Sequence, residues 1–414
     1  GPPKEVGYSR IDLITLFLAA FIIRLAWIKF GSWEANDSQW YLNTASNLIH
    51  HHLFSADGVL ATAYRPPLYS VLIGLLWWGE SAPILATLII QALLGAITVT
   101  LVYLTGVKHG GRAAALLAGS GLAIAPMTGR FTAVVLSETL FTFLVALGVF
   151  LWSRKRYALT GMAFGLGILT RVTLLPFVVL LPLLSVMRGW RQQRRPYILI
   201  ACVALAVSSI WMARNAIVFH RFIPVAASGY GTNLLIGSMD VGEADDVVRR
   251  KTLLGKVDSG GGVPATEETE FDRMRMRAAL NRIKENPVHW LAVRARQYPR
   301  LFIDNGSYLF GGDGVPLTQA IYERSVSQVI IRSALVLANL SVFILAAVGV
   351  WARRSRLVEF TELWLFPLFL ALVGLPLWLE PRYGLPMMPA IAILSAMGAI
   401  AVLRSVAGRF TTEN

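Results

Sequence analysis

The sequence predicts an all-α polytopic membrane protein, with about ten transmembrane helices, an outer-face helical subdomain and amphipathic juxtamembrane helices. Of its 414 residues, 55% are hydrophobic and only 15% are charged, and the mean hydropathy is +0.58. Soluble domains are typically ~25% charged. Lipid admits only helices or closed barrels, so the long apolar runs predict helices. This composition excludes an ordinary soluble enzyme.

Ten apolar runs are candidate spans. The first lacks a small-residue cleavage site and is too long for the apolar region of a signal peptide, so we expect a retained span. In order, the predicted spans are 11–30, 83–106, 113–129, 136–153, 157–171, 172–187, 197–213, 331–351, 360–379 and 386–404. Residues 157–187 alternatively form one re-entrant hairpin, so the count is good to about one pair.

Charge in the short loops predicts the orientation, because Lys and Arg near the ends of spans stay cytoplasmic. With the N-terminus inside, 16 Lys and Arg and only five Asp and Glu fall on the cytoplasmic side. Both termini are then cytoplasmic. Most of the net charge of +14 therefore indicates topology, and we expect no nucleic-acid partner.

The predicted spans divide the chain into three parts. Residues 11–214 form an N-terminal transmembrane catalytic module with a first outer loop at 31–82, residues 215–330 an extracytoplasmic loop subdomain, and residues 331–408 a C-terminal transmembrane module. In the outer subdomain, Glu270–Glu285 and Pro287–Asp304 have the pattern of amphipathic helices. The Gly-rich stretch 255–266 is predicted to be a mobile flap or a plain linker.

The single cysteine, Cys202, lies in an apolar run. It excludes a disulfide framework and a Cys-based metal site, and we expect a buried, inert thiol.

Ionisable groups at the ends of spans are costly, and they are by default candidates for a functional site. The predicted topology places nine at the outer surface: Glu34, Asp37, Arg65, Arg130, Glu138, Arg171, Arg214, Glu380 and Arg382. Acidic and basic groups gathered on one side suggest a cleft that handles an anion and a proton together.

Asp37 begins an interfacial amphipathic helix with an apolar stripe between Trp40 and Ile49. We interpret Asp37 as a carboxylate that can accept a proton from an attacking hydroxyl. In the alternative interpretation, Asp37 or Asn36 is only the N-cap of the helix.

Two prolines stiffen the turn that carries Arg65 and Tyr69 back towards the first loop. Arg65 is a candidate for contact with substrate or for anchoring the cleft, and alternatively it extends to lipid headgroups. Residues 50–52 are three consecutive histidines, which point in different directions on a helix and cannot all converge on one metal ion.

Glu138 opens a span, where a carboxylate favours the helix dipole. It is either a cap partner of Ser137 or a cleft carboxylate. Arg171 closes a span at the same face and can pair with Glu138 or Glu34 in a purely structural way.

Arg382 and Tyr383 lie in a turn between the last two spans that prolines hold fixed. Forked guanidinium donors and a phenol suit a phosphate group. The alternative role is an anchor at the membrane interface, where Tyr is common.

These motifs resemble the integral-membrane GT-C glycosyltransferases, in particular the group that includes protein O-mannosyltransferases and the aminoarabinose transferase acting on lipid A. The resemblance covers nearly the whole chain. It rests on Asp37-Ser38 to Tyr41, Arg65-Pro66-Pro67-Leu68-Tyr69, Ser137-Glu138-Thr139-Leu140-Phe141, Leu169-Thr170-Arg171, Trp211 to Asn215, Phe222-Ile223-Pro224, Gly229 to Leu234, and Arg382-Tyr383 with Pro386.

The resemblance implies an inverting transferase that moves a sugar from a polyprenyl-phosphate donor to an acceptor hydroxyl of a glycolipid, cell-envelope glycan or protein. It makes Asp37 the candidate base, with Glu138 as a second candidate catalytic carboxylate. It makes Arg382 and Tyr383 the contacts to the donor phosphate, and Arg65, Tyr69 and Arg171 further substrate-binding candidates. No cofactor is certain and a divalent metal is possible. We expect a bacterial inner (plasma) membrane with the active site extracytoplasmic.

Two other classes remain as alternatives. A transporter or flippase of a lipid-linked sugar predicts inverted repeats and broken or charged helices at the membrane midplane. A non-catalytic subunit of a cell-envelope complex predicts that Asp37 is dispensable. The first outer loop has Asn36-Asp37 where protein O-mannosyltransferases often show adjacent acids. This difference weakens the assignment of a protein as the acceptor.

Overall fold

The computed structural model of the chain describes residues 8–35, 37–227, 229–240, 243, 265–304, 306, 309 and 325–412, and these residues form helices and no strands. In chain order the α-helices are α1 (Arg10–Phe30), α2 (Ser38–His50), α3 (Leu68–Leu75), α4 (Ile84–Ile124), α5 (Pro126–Thr132), α6 (Glu138–Ser153), α7 (Tyr157–Ile168), α8 (Leu174–Leu184), α9 (Arg194–Phe219), α10 (Tyr230–Gly237), α11 (Ala265–Glu285), α12 (Pro287–Gln297), α13 (Val326–Ala352), α14 (Thr361–Gly374) and α15 (Met388–Thr412). Within the described residues, 3₁₀ helices lie at Arg188–Gln193, Tyr298–Leu301, Arg354–Phe360 and Pro381–Met387.

The helices are those of a multi-pass membrane protein, as predicted. Among the described residues, six helices are long and apolar enough to cross a membrane, the longest being α4 with 41 residues. The apolar helices α6, α7 and α8 are shorter. The last two lie where the sequence leaves open two spans or one re-entrant hairpin, so the number of full crossings stays a prediction.

Helix α4 contains a chain reversal. Gly111 has φ 80° and ψ 175°, which is not helical and which residues with a side chain rarely adopt. The two halves then lie side by side, since a Cβ on Gly106 would be 3.0 Å from Ala115 Cα. The predicted separate runs 83–106 and 113–129 are therefore two antiparallel helices joined by a tight turn at Gly111.

Small residues let the helices of the bundle approach closely. A Cβ on Gly349 of α13 would lie 2.1 Å from the Leu394 carbonyl oxygen of α15, and one on Gly161 of α7 would lie 2.7 Å from the Ile200 carbonyl oxygen of α9. In lipid, such close packing stabilises helix pairs without a hydrophobic driving force.

Cys202 corrects one expectation. It is exposed on the surface of α9 and is not buried. The apolar run that contains it faces outward along part of the helix, because a membrane span can present apolar side chains to lipid as well as to the core.

Both amphipathic helices predicted within residues 215–330 are present, with changed ends. The first is α11, which begins at Ala265, and the second is α12, which ends at Gln297 and continues as a 3₁₀ turn to Leu301. The Asn286 side chain caps α12 by accepting a hydrogen bond from the His289 amide. Of the predicted flap 255–266, residues 255–264 lie outside the described residues.

Candidate active site

Six charged side chains from separate parts of the chain line one cavity of about 290 Å³. Each is held at the end of a helix or in a connecting turn. They are Asp37 before α2, Arg65 before α3, Glu138 at the start of α6, Arg171 between α7 and α8, and Glu380 and Arg382 before α15. Three carboxylates thus face three guanidinium groups, so the lining carries no net charge.

Asp37 lies between two of the arginines. Arg65 Nη2 donates a 2.9 Å hydrogen bond to its Oδ1, and Arg382 Nη1 lies 3.4 Å from its Oδ2. The Asp37 side chain accepts no capping hydrogen bond from α2, although the residue occupies the N-cap position. The position of its carboxylate is therefore determined by the two arginines.

The electrostatics of this pair favour the ionised forms. Burial would raise the pKa of the Asp37 carboxyl, but the charges of Arg65, Arg382 and Arg171 outweigh burial and hold this pKa at about 2. Burial would likewise lower the pKa of the Arg65 guanidinium, and the charge of Asp37 raises it above its ordinary value. The free site therefore holds a firmly ionised Asp37.

Glu138 is the second carboxylate of the cavity, with a side chain only 3% exposed. Its Oε1 lies 2.9 Å from Arg171 Nη1 and 3.7 Å from Arg382 Nη1. The expected partner in capping, Ser137, makes no capping hydrogen bond with its side chain and instead lies 3.2 Å from the Tyr41 hydroxyl. Glu138 is thus a cleft carboxylate paired with arginines.

Arg382 contacts all three carboxylates, since its Nε also lies 2.6 Å from Glu380 Oε2. The buried Nε–H group of Arg65 has no hydrogen-bond acceptor within the described residues. Two guanidinium groups thus lie beside the same carboxylate and line the same cavity, where guanidinium groups suit an anion.

Tyrosines complete the charged part of the cavity. The guanidinium groups of Arg171 and Arg382 lie 5.6 and 5.5 Å from the centre of the Tyr383 ring. Tyr69 does not line the cavity. It is fully buried behind Tyr41, its ring contacts the Tyr41 ring edge-on at 4.9 Å, and its hydroxyl donates to Gln91 Oε1.

Tyr41 is a site residue that was not predicted. It lines the cavity and supports Arg65, whose guanidinium lies 5.5 Å from the centre of the Tyr41 ring. The spacing could have indicated it, because Tyr41 lies four residues after Asp37 and so on the same face of α2. Glu380 was noted for its charge but not as a site residue. The α10 segment was noted only as a motif.

Three of the nine charged groups do not join the cavity. Glu34 is exposed, and Arg130 donates a 2.7 Å hydrogen bond to the Ser32 carbonyl oxygen. Arg214 donates to the Thr62 carbonyl oxygen and lies 4.7 Å from the centre of the Trp211 ring, so it ties the segment between α2 and α3 to α9.

No group of three His, Cys, Asp or Glu side chains in the described part of the chain is arranged to hold a metal ion. Of the three consecutive histidines, His50 lies edge-on against Trp77 at 5.8 Å.

Part of the chain is similar to a known protein family. Residues 64–212 match the family model described as dolichyl-phosphate-mannose-protein mannosyltransferase, which is about a third of the chain. No curated protein matches the sequence significantly.

Solved structures give a match over nearly the whole chain. The oligosaccharyltransferase AglB of Archaeoglobus fulgidus, in complex with an inhibitory peptide and a dolichol-phosphate, superposes on 97% of this chain with a TM-score of 0.54 and 15% identity. The same enzyme tethered to an acceptor peptide superposes on 96% with a TM-score of 0.57 and 14% identity. ArnT of Cupriavidus metallidurans bound to undecaprenyl phosphate superposes on 94% of this chain, with a TM-score of 0.42 and 14% identity. The match covers 78% of the ArnT chain.

This chain spans about half the length of the oligosaccharyltransferase chains, 51% and 50% of them. The matches confirm the resemblance predicted from the motifs: the protein has the fold of the GT-C glycosyltransferases, and its 64–212 segment matches their mannosyltransferase family.

Proposed function

We propose that the protein is an inverting glycosyltransferase that moves a sugar from a polyprenyl-phosphate donor to an acceptor hydroxyl. One observation carries the proposal: Asp37 lies between two arginines that line the same cavity, which is built from the ends of membrane helices. A base and an anion site thus lie side by side. The fold and the family match support a lipid-linked donor, because AglB shares the fold and its structure contains a dolichol-phosphate.

Arg382 and Arg65 hold the donor phosphate in this proposal, and Tyr383 lies beside both Arg382 and Arg171. Guanidinium groups offer paired donors to phosphate oxygens, and the charge that develops on the leaving phosphate is stabilised where it forms. A phosphate that is already stabilised as an anion needs little help from a general acid. Glu138 keeps Arg171 and Arg382 in place through the 2.9 and 3.7 Å contacts.

Asp37 is the proposed base. The acceptor oxygen attacks the anomeric carbon from the face opposite the phosphate, the bond between that carbon and the phosphate oxygen breaks, and the electron pair leaves with the polyprenyl phosphate. The acceptor proton passes to Asp37. Displacement from the opposite face inverts the anomeric configuration.

The residues present do not fit a divalent metal at this position. Each carboxylate of the cavity lies within 4 Å of at least one guanidinium nitrogen, and a metal would bring further positive charge beside Arg65 and Arg382. We propose that transfer proceeds with these arginines alone. Activity in excess EDTA should equal activity without it, and a loss that added Mg²⁺ or Mn²⁺ restores would contradict this proposal.

The membrane setting is also a proposal. We place the cavity on the extracytoplasmic side of a bacterial inner membrane, where both the donor and a glycolipid, glycan or protein acceptor are reachable. The charge asymmetry of the short loops supports this orientation.

The decisive experiment incubates the purified protein with radiolabelled polyprenyl-phosphate sugar and a membrane lipid extract. We expect Asp37→Asn to abolish transfer but to retain donor binding, and Arg382→Ala to weaken donor binding. Thr100→Ala, in a half-buried position on α4 outside the cavity lining, is a control that should transfer at the native rate. Transfer by Asp37→Asn at the native rate would refute the assignment of the base, and the absence of labelled product from every donor would refute the proposed reaction.

A further inference from the structure

Part of the cavity wall carries no charge. The segment from Gly229 through α10 contributes Tyr230, Thr232, Asn233 and Ile236 to the lining, and none of these side chains is ionised at neutral pH. All six charged side chains of the lining come from other elements. The cavity thus has a charged part that suits a phosphate and a neutral part with a phenol, a hydroxyl and an amide.

Helix α11 of the outer subdomain fixes this neutral wall. The carboxylate of Asp272 accepts hydrogen bonds from the amides of Gly229, Gly231 and Thr232, at 3.0, 3.0 and 3.2 Å. These amides begin α10 and have no partner within their own helix. Arg275 adds a 3.0 Å hydrogen bond from its Nη1 to Thr232 Oγ1.

The two helices are in close contact at this point. A Cβ on Gly231 would lie 1.9 Å from the Asp272 carbonyl oxygen, so only glycine allows the approach. Close packing and three hydrogen bonds hold the first turn of α10 rigidly, so the groups it directs into the cavity are preorganised for a ligand.

The chemistry of this wall selects one kind of ligand. Neutral donors and acceptors match sugar hydroxyls, and the Tyr230 ring offers an apolar face to the C–H side of a sugar ring. A cationic amino sugar would find no carboxylate on α10, and Asp272 behind the helix already accepts three amide hydrogen bonds. Each carboxylate elsewhere in the lining already lies within 4 Å of a guanidinium nitrogen. An unpaired ammonium group would therefore be disfavoured there.

We infer that Tyr230, Thr232 and Asn233 form a subsite for an uncharged sugar ring, held in place by Asp272. The inference rests on the proposed function, because the sugar is either the one that the donor carries or one that belongs to the acceptor. These two sources share the same chemistry, and the experiment separates them.

The test measures binding of three lipids to the full-length protein in detergent: bare undecaprenyl phosphate, undecaprenyl phosphate carrying a neutral hexose, and undecaprenyl phosphate carrying an amino pentose. The variants are Tyr230→Phe and Asn233→Ala. Phe222→Ala, with a side chain 76% exposed outside the cavity, is the control. Thermal unfolding of each variant shows whether the fold is retained.

If the donor sugar occupies the subsite, the neutral hexose should strengthen binding over the bare lipid and the amino pentose should not. Each variant should then bind the hexose-carrying lipid about fivefold or more weakly, which corresponds to roughly one lost hydrogen bond. Binding of the bare lipid should be unchanged. If an acceptor sugar occupies it, donor binding stays native and the KM for the acceptor rises by a similar factor.

The inference is overturned if the variants change neither quantity, or if they weaken binding of the amino pentose donor more than binding of the hexose donor. Failure of the bare lipid phosphate to bind the native protein would instead refute the proposed function. Tyr230→Phe removes only a hydroxyl, so it remains informative if Asn233→Ala disturbs α10.

Discussion

Arg382 is the residue on which the charges of the cavity converge. It lies within 4 Å of Asp37, Glu138 and Glu380, three carboxylates from separate parts of the chain. A planar guanidinium can serve several acceptors at once, whereas a lysine ammonium is a compact point charge on a flexible stem. The positions of the two candidate catalytic carboxylates therefore depend on the same side chain.

The low pKa of Asp37 predicts how the reaction depends on pH. Its folded pKa, about 2, lies below the ordinary value of 3.8, so the ion pairs are complete at neutral pH and are lost as the pH falls through the folded value. The profile of kcat/KM, which reports the free enzyme, should have no acid limb from Asp37 above about pH 4.

The Arg65→Gln variant should raise the pKa of Asp37. Burial raises this pKa, and the substitution removes the positive charge of Arg65 that lowers it. The acid limb should then move to higher pH, as measured by kcat/KM for the donor between pH 4 and 8. Arg154→Gln, which changes an exposed arginine away from the cavity, should leave the profile unchanged. A native-like profile for Arg65→Gln would contradict the proposed coupling between the two residues.

Sequence reasoning identified most of the charged residues of the site because charge is expensive at the ends of membrane spans. Asp37, Arg65, Glu138 and Arg382 stand out against apolar neighbours. The same reasoning could not find Tyr41 or the α10 residues, since a neutral side chain carries no such cost. It also could not place Tyr69, whose direction depends on a hydrogen bond to Gln91, a residue on a different helix.

At the scale of the elements, glycines determine which helices can touch, and their substitution gives a direct test. Gly349→Ala should destabilise the fold by about 1–3 kcal/mol, the usual cost of overpacking, because its Cβ would lie 2.1 Å from the Leu394 carbonyl oxygen.

Gly121→Ala is the matched control. A Cβ on Gly121 meets no atom within 4 Å, and alanine favours a helix by about 1 kcal/mol, so this variant should unfold at the native temperature or above it. Thermal unfolding of both variants in the same detergent is the measurement. Equal unfolding temperatures would show that α13 and α15 tolerate a wider separation.

The turn at Gly111 shows what a hydropathy pattern can and cannot predict about a helix. The sequence predicted two separate spans, because residues 107–112 contain Lys108, His109 and Arg112. The structure has helix on both sides up to a single glycine with positive φ. Hydropathy detects the polar gap between spans but not the backbone angles that close it.

At the scale of the whole molecule, the orientation in the membrane follows from loop charge and can be tested directly. In a Cys202→Ser background the chain has no other cysteine, so single cysteines report their own location. Val59→Cys, where the native side chain is 76% exposed in the first outer loop, should react with a membrane-impermeant maleimide in intact spheroplasts.

Ser355→Cys should react only after the cells are permeabilised, because it lies among Arg353, Arg354 and Arg356 in a loop predicted to be cytoplasmic. The opposite pattern of labelling would reverse the proposed orientation and place the cavity in the cytoplasm. The fold class was predictable at this scale because lipid leaves the backbone few choices, whereas the meeting of distant turns in one cavity depends on packing that no local pattern records.

The balance of three carboxylates against three arginines in the cavity also bears on how ligands arrive. A pocket without net charge exerts little long-range attraction on ions in the surrounding water, so it does not concentrate soluble phosphates or nucleotide sugars at its mouth. Its arginines act only on a phosphate that is already within contact range. A ligand that diffuses laterally within the bilayer meets that condition, and the encounter rate should then depend on its density in the membrane and hardly on the salt concentration of the medium.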